Sequence, residues 1–510
     1  MQSNISNNKR IAINTIMLYF RMFLTMGVAL FTSRVILQSL GVQDYGIYNV
    51  VAGFVSMFTF INSAMTSATQ RYITFAIGKD ESHRINKVFC TSMNIHILIS
   101  VLLVLVAETF GLWFLNTHMT IPQERMFAAN MVYQFAILST VVMIVSTPYN
   151  ALIVAHEKMS AFAYISILDV SIKLIIAYLL YISTYDRLIV YAILMFLAQF
   201  IIRQIYSIYC HRHFPESKFR IIKDVPLFKE MVSFSVWNLF GNLASVGAGQ
   251  GVNIVLNMFF GPVVNAARGV SIQVQNAVMG FSSNFQMAMN PQITKNYATG
   301  NLSYMHTLIY ASSKYSFFLL FILSLPIVIE ADNILSVWLG IVPEHTANFL
   351  RFALVTSIVN AMAGPLTIAA QANGKIKMYQ SIVGGILLMS FPIAYVSLKL
   401  GGKPEIVYLV DLFVVCIAQI FRIYMMRNMI ELSIREYSKE VLFRVMIVAI
   451  LGSVFPTLVY MYLPKHTFFS FVIVCVVCVI SVASAVYSLG ISQNERAKVI
   501  SFVKSKFCRK

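Results

Sequence analysis

The chain has 510 residues, of which 58% are hydrophobic and 11% charged, with a mean hydropathy of +0.75. A soluble core cannot absorb that composition, because soluble chains carry roughly 25% charged residues. This excludes a soluble enzyme or binding domain. The formal net charge of +18 would suggest nucleic acid in a soluble chain, but no basic and aromatic soluble module exists to bind it, so no nucleic-acid partner is expected.

In chain order, the polar segment Met1 to Arg10 runs directly into the first apolar run without a small-residue cleavage site, so that run is expected to stay as a signal anchor. Apolar runs of about 20 residues between charged or Pro/Gly breaks predict fourteen spans. Their approximate limits are 15–38, 48–70, 88–114, 127–152, 160–183, 188–209, 232–259, 264–288, 309–329, 347–370, 378–398, 406–426, 442–463 and 468–489.

An even span number puts both termini on one side, and the basic residues choose the side. With the N-terminus inside, the inner segments hold most of the Lys and Arg outside the spans, from Lys9, Arg10, Arg71 and Lys79 to the tail from Arg496 to Lys510. The outer loops hold only Arg125, Arg187, Lys399, Lys403 and Lys465. This asymmetry predicts cytoplasmic termini. The basic inner linker from His211 to Glu230 divides the chain into an N-terminal six-helix lobe (1–210), the linker (211–230), a second six-helix lobe (231–430) and an additional helix pair with a basic tail (431–510). The linker reads as a lobe connector lying against anionic lipid heads.

The two lobes echo each other. A shift of about 220 residues puts Gly41 on Gly261, Val50 on Val270 and Gln70 on Asn290, so each lobe opens as span, glycine turn, polar-striped span. A shift of about 217 puts Pro148, Ala155, Lys158 and Ile165 on Pro365, Ala372, Lys375 and Ile382.

No loop is long enough for a soluble catalytic domain, and no phosphate-loop motif occurs, so neither enzyme activity nor a cofactor is expected. Gly247-Ala-Gly249-Gln-Gly251 lies inside a span with no strand before it, which makes it a helix-packing or flexing site. Cys475 and Cys478 sit in an apolar run with no other ligand nearby and read as packing residues rather than a metal pair. The informative residues are polar stripes. Ser56, Thr59, Ser63, Thr66 and Gln70 share one face of the second span. Asn238, Asn242, Ser245, Gly249, Asn253 and Asn257 do so on the seventh, and Asn265, Arg268, Gln275 and Asn276 form a looser stripe on the eighth. Such stripes either bond helix to helix or line a hydrated cavity. Arg21, Arg34, Lys173 and Arg268 are the candidate intramembrane cations, which are costly unless they face water or a partner. Arg34 and Arg268 can instead snorkel to the interface. Arg21 and Arg34 share a cavity only if their span bends, with Gly27 as the hinge. Asp169 and Lys173 have the favourable i, i+4 order and either neutralise each other or relay an ion. Glu108 and Asp411 read as solvent-facing, and His96 as a hydrogen-bonded packing residue.

The run Arg34-Val-Ile-Leu-Gln-Ser-Leu-Gly41-Val-Gln-Asp-Tyr-Gly46-Ile-Tyr-Asn-Val resembles the first-hairpin pattern of bacterial polysaccharide exporters, the O-antigen and lipid-linked oligosaccharide flippases. Their superfamily also contains the multidrug and toxin extrusion (MATE) transporters. The resemblance implies an all-α, MATE-like polytopic fold, with two six-helix bundles around a cavity lined by spans 1, 2, 7 and 8, and alternating access between them. It implies transport of polyprenyl-pyrophosphate-linked oligosaccharide across the bacterial inner membrane, with Arg21, Arg34 and Arg268, and then Lys173, as the cations that hold the pyrophosphate. Membrane lipids, a polysaccharide polymerase and a chain-length regulator are the further partners it implies. A cation-coupled MATE antiporter is the alternative and would need uncompensated acids in the cavity. A membrane polymerase or ligase would need a large outer loop, which the sequence lacks.

Overall fold

The computed structural model describes residues 2–496 apart from 57–58, 120, 340–341, 465–466 and 494. The side chains of Arg34, Ser56 and Thr59, the loop residue Lys465, Cys508 and the tail beyond Arg496 lie outside the described residues.

The described residues are almost entirely helical, as the long apolar runs require in lipid, where every backbone N–H and C=O must find its partner within the segment. The N-terminal helices are α1 (Gln2–Ser56), α2 (Thr59–Gly78), α3 (Ser82–Val106), α4 (Leu112–His118), α5 (Met126–Ala155), α6 (Met159–Ile182) and α7 (Arg187–His213). There follow α8 (Val225–Phe260), α9 (Pro262–Ala298), α10 (Leu302–Ile329), α11 (Ala331–Leu339), α12 (Thr346–Asn360) and α13 (Ala363–Asn373). The last are α14 (Ile376–Leu388), α15 (Ser390–Lys399), α16 (Ile406–Ile430), α17 (Ile434–Tyr437), α18 (Arg444–Tyr462) and α19 (Phe468–Ala485). Among the described residues, 12 helical segments are long and apolar enough to cross a membrane. The eighth expected span is helical too, in α9, where its polar stripe holds it below that hydropathy, and the second expected span (48–70), which runs from the end of α1 into α2, contains residues outside the described ones. This is an all-α polytopic membrane protein.

The sequence echo is written into the backbone. Gly41 (φ 78°) interrupts α1, and Gly261 (φ 76°) separates α8 from α9. Both take the left-handed conformation that glycine adopts without a Cβ penalty. The bend in α1 is therefore at Gly41, not at Gly27, where the helix is continuous. Asp80 (φ 56°) and Gly300 (φ 74°) end α2 and α9 in the same way, and Glu157 (φ 57°) and Gly374 (φ 87°) end α5 and α13. After Glu157 the Lys158 amide reaches back to the Ile153 carbonyl at 3.0 Å, closing the left-handed helix end. The proline pair differs: α5 runs through Pro148, whereas the equivalent stretch breaks at 361–362 and α13 restarts with Pro365 in its first turn, where a proline costs no hydrogen bond.

The chain forms two compact units. The first comprises residues 1–242 and 294–300. Here α5 is the central helix, packed against α1, α2, α3, α6 and α7, with Tyr133, Ile137 and Ile144 fully enclosed. The linker is docked to this unit: Asn86 donates to the Glu216 carbonyl at 2.7 Å and the Lys218 carbonyl at 2.9 Å, and Asn94 to the Ile222 carbonyl at 3.2 Å. His156 meets Glu216 at 2.7 Å and stacks on Phe214, and the hydrogen bond holds the Glu216 carboxyl below its ordinary range. The second unit comprises residues 243–293 and 301–510, with α10, α12, α13 and α16 inside and α18 and α19 packed beside α10. The outward sides of both units carry large apolar residues such as Leu102, Leu105, Ile450 and Phe455, the surface lipid requires.

Candidate functional site

In the N-terminal unit, the face of α1 from Met22 to Ile36, Tyr45, Tyr48, Val170, Tyr191 and Met195 line a cavity of about 530 Å³. Lys173 lines it as well, and also lines a smaller cavity of about 180 Å³ together with Ser139 and Thr140. Lys173 Nζ donates to Asp169 Oδ2 at 2.7 Å, the pair expected from their spacing. Adding Asp169→Ala is accordingly expected to restore part of the insertion and transport lost in Lys173→Ala, measured as membrane protein level and export. A double variant no better than the single one would mean that Lys173 serves a ligand rather than its neighbour. At the Gly41 end, Arg125 bridges Asp44 at 2.5 Å and Asp186 at 2.6 Å and so ties three connections together. The Arg125 guanidinium holds the Asp186 carboxyl below the usual carboxylate range.

Arg21 lies elsewhere in this unit, its guanidinium 4.8 Å over the Phe162 ring, a contact that stabilises a cation out of water. Asn242 donates to Ser63 at 3.2 Å, joining the stripes of α8 and α2. Asn238 is only 2% exposed, so it is packed rather than cavity-lining. His96 is fully buried and hydrogen-bonded to the Ser92 carbonyl at 2.7 Å.

In the C-terminal unit Arg268, 9% exposed, is enclosed by its own chain. Its Nε donates to Asn253 Oδ1, its Nη2 donates to the Gly249 carbonyl at 3.1 Å, and its guanidinium lies 5.5 Å from the Tyr408 ring centroid. The glycine-rich stretch of α8 thus works as packing: Gly251 leaves room for Phe391, and Gly249 presents its carbonyl to the arginine. Asp411, read from sequence as solvent-facing, lies within electrostatic range of Arg268 and accepts from Ser390 at 3.5 Å. Glu108, given the same reading, accepts from Gln134 at 3.2 Å. Gln275 ties α9 to α12 through the Ser357 hydroxyl at 2.7 Å and the Ala353 carbonyl at 3.2 Å, while its neighbour Asn276 is exposed. Among the described residues no group of three or more His, Cys, Asp or Glu stands close enough to hold a metal.

Two buried cations escaped the sequence reading. Lys314 of α10, 2% exposed, is paired with Glu495 at 2.8 Å. Arg422 of α16 is 5% exposed. Neither belongs to a polar stripe; the available signal is a basic residue inside a predicted span.

Residues 18–179 match the MatE family model. A search of curated protein sequences finds no match. Among solved structures, a point mutant of a MATE protein aligns at 12% identity over 82% of this chain and 96% of its own, with a TM-score of 0.72. The Vibrio cholerae MATE transporter VcmN, also in a mutant form, aligns at 15% identity over 84% and 99%, with a TM-score of 0.71. A MOP superfamily transporter from Pyrococcus furiosus, described as having a binding pocket of reverse polarity that suggests a different function, aligns at 12% identity over 82% and 95%, with a TM-score of 0.68. The fold is that of these transporters.

Proposed function

Proceeding from a family match and a fold that support a membrane transporter of the MATE/MOP superfamily, we propose that the chain moves polyprenyl-pyrophosphate-linked oligosaccharide across the bacterial cytoplasmic membrane by alternating access. The observation that carries this reading is the sign of the charge within the spans. Arg21, Lys173, Arg268 and Arg422 are basic, while the acids on the same or adjoining helices are few and engaged: Asp169 with Lys173, Glu108 with Gln134, Asp411 with Ser390. That balance suits an anionic substrate. A diphosphate with about two negative charges leaving an inside-negative cell gains roughly 4 to 5 kcal/mol per 100 mV, so the membrane potential can supply direction. Membrane lipids, and a polymerase and chain-length regulator that take up the product, are the partners this reading carries with it.

Deleting the protein in its host is expected to stop surface polysaccharide and to leave lipid-linked repeat units accumulating on the inner leaflet. The lipid-linked pool is the quantity to measure, because a redundant transporter can mask the loss of polysaccharide. The second reading, a cation-coupled drug antiporter, is favoured by the MATE transporters among the structural relatives. It predicts an unchanged lipid-linked pool and new sensitivity to cationic dyes.

A further inference from the structure

Arg422 is a buried cation for which the described residues supply no counter-ion. No carboxylate lies within ion-pair distance of it, and its Nε and Nη1 have no hydrogen-bond partner among the described residues, which include every Asp and Glu of the chain. An arginine so placed within a span is costly unless something occupies its donors. Arg422 lines a cavity of about 320 Å³ inside the C-terminal unit, with Ser282, Ser283, Asn290, Asn360 and Thr367 around it. The buried Asn290 Oδ1 is also without a partner among the described residues. The wall is built rather than accidental. Gln286 Nε2 is fixed by the Ala361 carbonyl at 2.8 Å, Ser316 at 2.9 Å and Ser282 at 3.2 Å. Gly364 is the residue that lets it sit there, because a Cβ at that position would meet the Gln286 side-chain amide.

We infer that this cavity binds a hydroxylated oxyanion, the chemistry shared by a carboxylated sugar and a glycosyl phosphate. The guanidinium supplies planar donors to two oxygens of one anionic group. The Asn290 carbonyl takes a hydroxyl, and the remaining hydroxyl and amide side chains form a polar wall. The volume is at the small end of ligand pockets, roughly 300 to 1,000 Å³, and suits one sugar unit rather than a whole oligosaccharide. Only the sugar identity rests on the transport reading above; the oxyanion site stands on Arg422 and the cavity.

The test is calorimetric titration of the full chain in lipid nanodiscs with glucuronate, glucose 1-phosphate and glucose. At least one of the two anions is expected to bind and glucose is not; the tighter anion identifies whether the group is a carboxylate or a phosphate. Arg422→Gln should weaken that binding by about thirtyfold or more. Asn290→Asp places a carboxylate in the same cavity, so it should abolish anion binding and raise the thermal midpoint, which separates loss of the site from loss of the fold. Absence of anion binding by the wild type, glucose binding as tight as that of the anions, or anion binding unchanged in both variants overturns the site. An intact site in a host whose lipid-linked pool is unaffected by deletion would overturn the transport reading instead.

Discussion

Arg268→Ala is expected to abolish export at normal protein level, and Arg268→Lys to retain part of it. The alanine variant removes two charge-assisted hydrogen bonds, each contributing about 1.5 to 3 kcal/mol, together with the contact to the Tyr408 face. It leaves Asn253 Oδ1 and the Gly249 carbonyl without the donors they have here, at the point where α8 and α9 are held together behind the Gly261 turn. A lysine keeps the charge beside Tyr408 and Asp411, but a single ammonium cannot reproduce the planar fork that reaches Asn253 and the Gly249 carbonyl together. Export and membrane protein level must be measured side by side. Wild-type polysaccharide from correctly inserted Arg268→Ala would show that this arginine is dispensable for transport.

The second large effect belongs to Lys314 and Glu495. Glu495→Gln should destabilise the C-terminal unit by about 3 kcal/mol, because it strands a buried ammonium whose ion-pair partner among the described residues is that carboxylate. The double variant Lys314→Met with Glu495→Gln should recover most of the loss, since an apolar side chain of similar length suits the site without a counter-ion. The pair also sets a pH dependence. Glu495 is desolvated, which raises its pKa, yet the hydrogen bonds from Lys314 and the Ser492 amide outweigh this and hold it below its ordinary 4.5. A carboxyl whose folded pKa is depressed contributes stability above the unfolded value and loses it as pH falls through the folded one. Thermal unfolding of the wild type should therefore show this contribution intact at neutral pH and lost in acid below about 4.5, whereas the double variant should lack that step. Equal acid sensitivity in both would assign the acid transition to other carboxylates.

The sequence carried the plan of the bundle because that plan rests on local signals. Gly41 and Gly261 are legible as turns since each interrupts apolar helix where only a left-handed residue fits. The polar stripes of the second and eighth spans are legible because their side chains repeat at helical spacing, although hydropathy alone passes over the eighth. The i, i+4 order of Asp169 and Lys173 sufficed to pair them. What a stripe does is another matter. Gln275 and Asn276 are adjacent on α9, yet one holds α12 and the other is exposed. From sequence Arg268 is a cation that needs water or an anionic ligand, whereas in the structure its partners are residues of its own unit: Asn253, the Gly249 carbonyl and Tyr408, the last from a helix distant in sequence. Arg422 and Lys314 stayed hidden because a single basic residue in an apolar run has no period to detect, and the partner of Lys314 lies 181 residues further on.

The most direct measurement of the transport reading is made in proteoliposomes. The purified chain is reconstituted with polyprenyl-pyrophosphate-linked oligosaccharide in the inner leaflet, and its appearance outside is followed with a membrane-impermeant sugar-oxidising reagent under an imposed potential. The account predicts transfer that is faster when the receiving side is positive and is lost in Arg268→Ala. No transfer by the wild type, together with ion-driven movement of an organic cation by the same vesicles, would contradict it.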